Sequence, residues 1–220
     1  MKNKIAITCC VFLLSFVLAK AQAPFYNDIQ QFKKQDSTHF PAKQQILFVG
    51  SSSFTKWTDI QDYFPSYPII NRGFGGSSLT DVIHYADDII YPYQPKQIVV
   101  YCGENDLAGE DTTVTSNIVF GRFKQLFVSI RQHLPKVSIA YVSMKPSPSR
   151  QHLLPKMEAA NALVKKYLSK QNNTAYIDVF HKMFNNDGTI INNIFIADNL
   201  HMNAKGYAIW QKIIAPYLLK

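Results

Sequence analysis

Residues 45–53 read Gln45-Ile46-Leu47-Phe48-Val49-Gly50-Ser51-Ser52-Ser53, a short apolar run that stops at a glycine and passes into three serines. A run this short, bounded by turn-forming residues, fits a strand buried on both faces better than a helix. The same grammar recurs downstream. Residues 68–71 (PIIN) run into Arg72-Gly73-Phe74-Gly75-Gly76-Ser77-Ser78, and residues 97–102 (QIVVYC) into Gly103-Glu104-Asn105-Asp106. Residues 137–144 (VSIAYVSM) run into Lys145-Pro146-Ser147-Pro148, and residues 174–179 (TAYIDV) form a fifth run.

The intervening segments change period. Leu79, Val82, Ile83, Ala86 and Ile90 share one helical face, as do Val119, Phe123, Leu126, Phe127, Ile130 and Leu134. Met157, Ala160, Val164, Tyr167 and Leu168 make a third stripe, and Tyr207, Trp210, Ile214 and Tyr217 a fourth. Such stripes are the core-facing sides of amphipathic helices. One more short helix is expected at residues 26–34. Five buried strands alternating with helices predict a doubly wound α/β sandwich, with helices covering both faces of a parallel sheet. No internal repeat, low-complexity tract or linker divides the chain.

The N-terminus has the pattern of an export signal. Met1-Lys2-Asn3-Lys4 is basic, residues 5–18 are apolar, and Ala19-Lys20-Ala21 offers small residues for cleavage before Gln22. The apolar stretch is shorter than the roughly 20 residues that span a bilayer, so no stable membrane anchor is expected after cleavage. Residues 22–220 would then form one domain, exported to the periplasm or secreted. Loss of Lys2, Lys4 and Lys20, with no acid, lowers the formal charge from +8 to +5. That mild basicity comes without a basic block, and nucleic acid is not an expected partner. Cys102 alone survives cleavage, so stability must come from packing rather than a disulfide. No Cys/His cluster has metal-ligand spacing and no phosphate loop is present, so no metal or cofactor is expected.

In an open α/β sheet, ligands bind outside the carboxyl ends of the strands. The polar and glycine-rich segments of this chain all follow strands, and Asp198-Asn199-Leu200-His201 precedes the last helix. Singly, each has an ordinary explanation: a serine there caps a helix, glycines make turns, and a histidine before a helix lies at the surface. Together they supply what acyl transfer needs, namely a hydroxyl nucleophile, a base, a group that orients the base, and donors for an oxyanion. Asp198 and His201, three residues apart on a helical turn, could pair through one imidazole nitrogen and leave the other for Ser52. Gly76 could bring its N–H close, and Asn105 could donate a neutral amide N–H.

These residues resemble the sequence blocks of the SGNH/GDSL hydrolases. Gly50-Ser51-Ser52-Ser53 is similar to the GDSL block, with Ser51 where Asp is usual and Ser53 where Leu is usual. Residues 71–76 resemble the glycine block, Gly103-Glu104-Asn105-Asp106 the G-x-N-D block and Asp198-Asn199-Leu200-His201 the D-x-x-H block, all in the family's order. The resemblance implies a flavodoxin-like α/β/α sandwich with a five-stranded parallel sheet. It implies Ser52 as nucleophile, His201 as base and Asp198 as its partner. The oxyanion hole would be the N–H groups of Ser52 and Gly76 with the Asn105 side chain.

The implied activity is a serine esterase acting on a small-molecule or glycan ester, with short acyl groups such as acetyl expected. Lysophospholipase or lipase chemistry, O-acyl transfer to a carbohydrate and a non-catalytic binding module are the alternatives. Phe54, Trp57, Tyr63, Phe64 and Phe74 could line a substrate pocket or cover the sheet. Lys145 and Arg150 could meet substrate or be solvated loop charges.

Overall fold

The computed structural model describes residues 23–220, and the predicted signal segment and its cleavage point lie outside the described residues. The five strands are β1 (Ile46–Gly50), β2 (Ile69–Gly73), β3 (Gln97–Tyr101), β4 (Ser138–Val142) and β5 (Thr174–Ile177). They form one sheet in the order β2-β1-β3-β4-β5, with every neighbouring pair parallel. The α-helices are α1 (Tyr26–Thr38), α2 (Ser52–Thr55), α3 (Ile60–Tyr63), α4 (Leu79–His84), α5 (Ala86–Ile89), α6 (Glu104–Ala108), α7 (Ser116–His133), α8 (Leu154–Leu168) and α9 (Ala204–Ile214). Among the described residues no helix is long and apolar enough to cross a membrane.

Alternation along the strands divides the interior in two. Leu47, Val49, Ile98, Val100, Ile139 and Tyr141 pack with residues of α4, α5, α7 and α8 on one face. Ile46, Phe48, Val99, Tyr101, Ala140 and Val142 pack with α2, α3 and α9 on the other. Successive side chains of a strand point to opposite faces, so an unbroken apolar run is what a sheet covered on both sides requires.

The register decides where the chemistry can be. Gly50 lies opposite Gly73 on one side and Tyr101 on the other, so the three segments after β1, β2 and β3 leave the sheet at one level. Gly50 has φ +133°, and a Cβ there would sit 1.9 Å from the Tyr101 carbonyl oxygen. Only glycine lets the chain turn there from strand to α2, with the Ser51 N–H donating to that same carbonyl at 2.9 Å.

Two sequence stripes differ in detail. The stripe from Leu79 to Ile90 is carried by two helices, α4 and α5, which meet at Tyr85, whose hydroxyl donates to Pro24 O at 2.5 Å. Tyr217 falls in a 3₁₀ turn after α9, where Pro216 ends α-helical hydrogen bonding, and it is exposed rather than part of the core stripe.

Helix α1 extends four residues beyond its expected end and buries only Ile29 fully, with Phe25 and Phe32 partly buried. That apolar contact contributes only a few kcal/mol, on the order of 2 per buried side chain. A polar clasp adds to it. Arg72 at the end of β2 donates from Nη2 to Asp36 Oδ1 at 2.5 Å and from Nε to the Tyr93 hydroxyl at 2.7 Å. The Tyr93 hydroxyl donates in turn to Asp36 Oδ2 at 2.5 Å, and the guanidinium lies over the Phe32 and Tyr93 rings. Removing one partner of a buried pair strands the other. Asp36→Ala is therefore expected to lower the unfolding free energy by about 3 kcal/mol in urea denaturation. A change within about 0.5 kcal/mol, as for a surface pair, would contradict this role.

Candidate active site

Ser52 opens α2, the four-residue helix that follows β1. Asn71 pins that helix, since its Nδ2 donates to Phe54 O at 2.7 Å while its Oδ1 accepts the Gly73 N–H at 3.0 Å. Ser51, buried at the N-cap position, does not cap the helix with its side chain. Its Oγ accepts instead from Asn105 Nδ2 at 2.6 Å. The third loop thus closes on the first through the position where the family usually has Asp.

Asp198 and His201 do not lie on a turn of the last helix, as the three-residue spacing suggested. They lie in a tight turn between Phe195 and Met202, which face each other in an antiparallel bridge, and α9 begins only at Ala204. Asn199 takes φ +54° at this turn, a conformation asparagine tolerates better than most residues. Asp198 Oδ1 accepts the N–H groups of Leu200 and His201, each at 2.9 Å. Its Oδ2 is 2.6 Å from His201 Nδ1. His201 Nε2 is 2.9 Å from Ser52 Oγ, across 149 positions of sequence. The expected trio is therefore one connected chain of hydrogen bonds.

The protonation pattern follows. Burial alone would raise the Asp198 carboxyl, but the His201 imidazole and the His201 and Leu200 N–H groups outweigh it and hold it down at about 2. An ionised carboxylate can only accept, so Nδ1 carries the imidazole proton and Nε2 offers its lone pair to the Ser52 hydroxyl.

The other expected donors are present in two different states. Gly76 is exposed with φ +87°, and a Cβ there would meet only the Phe25 ring at 3.6 Å, so backbone conformation rather than space calls for glycine. Among the described residues neither the Ser52 nor the Gly76 N–H donates to a protein acceptor. Asn105 has both amide hydrogens engaged, one on Ser51 Oγ at 2.6 Å and one on Ser77 O at 2.9 Å.

Several polar residues around the site turn out to be scaffolding. Asp106 is buried, accepts the Leu79 N–H at 2.9 Å and pairs with Arg122 Nη1 at 2.8 Å, which locks α4 to α6. Burial raises its carboxyl, against the opposing pull of Arg122. Lys145 is not a solvated loop charge. It is 1% exposed, with Nζ 3.2 Å from Glu104 Oε1, and Glu104 also accepts the Tyr101 hydroxyl. Burial pushes the Lys145 ammonium down while Glu104 holds it up. Phe54, Trp57, Phe64 and Phe74 are buried in the cores, with Trp57 stacked on Tyr207 at 4.7 Å, so they cover the sheet instead of lining a pocket. Tyr63 is partly buried against Trp57. Among the described residues no group of His, Cys, Asp and Glu is arranged to hold a metal ion.

The model of the GDSL-like lipase/acylhydrolase family matches residues 47–209, which takes in all four blocks. The chain belongs to that family. Its members are ester-hydrolysing enzymes, and the GDSL fold is what the solved structures share with it. A GDSL-like lipase of Bacteroides thetaiotaomicron superposes with a TM-score of 0.72 at 19% identity, over 86% of this chain and 96% of that one. A Bacteroides fragilis protein assigned as an acylhydrolase gives 0.74 at 20%, over 87% and 96%. A mutant of Axe2, an acetyl-xylooligosaccharide esterase from Geobacillus, gives 0.63 at 14%, over 81% and 96%. A search of the curated proteins returns no match.

The depressed Asp198 carboxyl has a direct readout. Carboxyl ¹³C titration is expected to place its midpoint near 2. His201→Ala, which deletes the imidazole and keeps the backbone donors, is expected to move that midpoint upward; a fixed or lower midpoint would contradict the assignment. Because the folded value lies below the 3.8 of an ordinary aspartate, the stability this group contributes is present above about pH 4 and lost as pH falls through about 2.

Proposed function

We propose that this GDSL-family protein is an exported serine esterase that removes short acyl groups, acetyl groups on carbohydrates foremost, through an acyl-enzyme on Ser52. The observation that carries the reading is the unbroken chain Asp198 Oδ2, His201 Nδ1, His201 Nε2, Ser52 Oγ, with links of 2.6 and 2.9 Å. The basic and apolar N-terminal pattern of residues 1–21 supports export.

In this mechanism Ser52 Oγ attacks the ester carbonyl carbon while its proton passes to His201 Nε2. Asp198, ionised, stabilises the resulting imidazolium. The carbonyl oxygen becomes an oxyanion beside the uncommitted N–H groups of Ser52 and Gly76. Asn105 joins them by sharing or transferring the N–H it gives to Ser51. A hydroxyl can give up an incoming hydrogen bond because it has other lone-pair and donor options. His201 then returns its proton to the leaving alcohol, and the same steps with water release the acid and restore Ser52.

The preference for a small acyl group is supported by the surroundings of Ser52. Ser51, next to it in the chain, is joined to Asn105, and Asn105 to Ser77 and Arg150, a polar network, while the aromatic side chains Phe54, Trp57, Phe64 and Phe74 are committed to the cores. The fold it shares with an acetyl-xylooligosaccharide esterase supports the carbohydrate part of the reading.

A panel of p-nitrophenyl esters from acetyl to dodecanoyl, with acetylated xylooligosaccharides alongside, tests this. The expected result is kcat/KM highest for acetyl and falling with chain length, and deacetylation of the oligosaccharides. Ser52→Ala is expected to lower kcat by roughly a millionfold. A rise toward dodecanoyl favours a lipase instead, and substantial turnover by Ser52→Ala removes the acyl-enzyme on that residue.

A further inference from the structure

Arg150 follows β4 in the chain, and its sequence context distinguishes it little from any surface cation. In the structure it is partly buried, and its Nη2 donates to Asn105 Oδ1 at 2.7 Å. Among the described residues no carboxylate is paired with it. Its backbone is held in place, with its own N–H on Ser147 O at 3.1 Å and the Ser149 N–H on Asn199 O at 3.1 Å. The second of these contacts ties the Arg150 segment to the turn that carries Asp198 and His201.

The amide of Asn105 is therefore where four loops meet. Ser51 follows β1, Ser77 follows β2, Asn105 itself follows β3 and Arg150 follows β4. Two of the three partners have fixed polarity. A guanidinium only donates and a carbonyl only accepts, whereas the Ser51 hydroxyl does either. Flipping the amide would face its N–H₂ to Arg150 and its oxygen to the Ser77 carbonyl, two repulsive contacts at once. With Ser77 alone the preference would rest on one neutral hydrogen bond. The cation supplies the second constraint, and a charged donor on Oδ1 also draws electron density from the N–H₂ and makes it a stronger donor.

We propose that Arg150 is a positioning residue for catalysis: it holds the Asn105 amide with its N–H₂ toward Ser51 and the Ser77 carbonyl and strengthens it as a donor to the oxyanion. This rests on the acyl-enzyme reading given above. Arg150 acts through Asn105 and makes no contact with the ester itself, so its removal is felt in kcat rather than in binding.

The test is a double-mutant cycle on p-nitrophenyl acetate, with Arg150→Met, Asn105→Ala and the pair. Asn105→Ala is expected to lower kcat by roughly 10²–10³ and Arg150→Met by on the order of tenfold, with KM within about twofold. In the double variant the loss from Arg150→Met is expected to disappear, because the group it acts on is gone. Arg150→Lys, which keeps a cation able to reach Oδ1, is expected to retain more kcat than Arg150→Met. The side-chain ¹⁵N–H₂ resonances of Asn105 are expected to shift in Arg150→Met, a readout independent of how well Asn105→Ala folds. Losses that multiply in the double variant, unmoved Asn105 resonances, or a rise in KM confined to anionic esters would each overturn the proposal. A wild-type protein that turns over no ester removes the esterase reading and this proposal with it. An active wild type with multiplying losses removes the proposal alone.

Discussion

The contact of 2.9 Å between His201 Nε2 and Ser52 Oγ joins the end of the first strand to a turn near the C-terminus. Neither residue could find the other by local folding. They meet because every strand of the sheet runs in the same direction, so every strand delivers its following loop to one edge. The level register of Gly50, Gly73 and Tyr101 then sets three of those loops at one height. The hydrogen bond is thus a consequence of the sheet, and the sheet is a consequence of five short runs apolar enough to be buried on both faces.

Much of the polarity near the site serves to hold loops rather than to react. Asn71 fastens the helix that carries Ser52, Asp106 fastens α4 to α6, and Lys145 with Glu104 forms a buried pair beneath the rim. Buried polar groups are costly unless satisfied, so each of these side chains is committed to named partners. By contrast, the backbone N–H groups of Ser52 and Gly76 have no protein acceptor among the described residues, and they follow β1 and β2 at the edge where Ser52 Oγ meets His201 Nε2. That division between satisfied scaffold and available donor is what distinguishes a reactive site from a merely polar one.

The strands were legible because period and length carry them, and the observed ends fall within one or two residues of the apolar runs. The trio Ser52, Asp198 and His201 was legible because the four blocks all map to strand ends or to the turn before the last helix. The local geometry of Asp198 and His201 was not, since three-residue spacing suits a helix turn and a tight loop alike, and the Phe195–Met202 bridge that decides for the loop is a pairing across six intervening residues. Lys145 and Arg150 were indistinguishable as sequence: both are cations flanking a proline-rich loop. Only the third dimension shows that one is buried against Glu104 and the other reaches Asn105. The aromatic cluster from Phe54 to Phe74 was ambiguous for a related reason, because aromatic side chains suit a binding pocket and a sheet cover equally well.

The central claim is that one serine among the three adjacent to β1 is chemically activated by its histidine. The most direct measurement is labelling of the purified protein with a fluorophosphonate, followed by peptide mass spectrometry of the segment containing Ser51, Ser52 and Ser53. The account predicts a single stoichiometric adduct on Ser52. An adduct on Ser51 or Ser53, or an unlabelled protein, would contradict it.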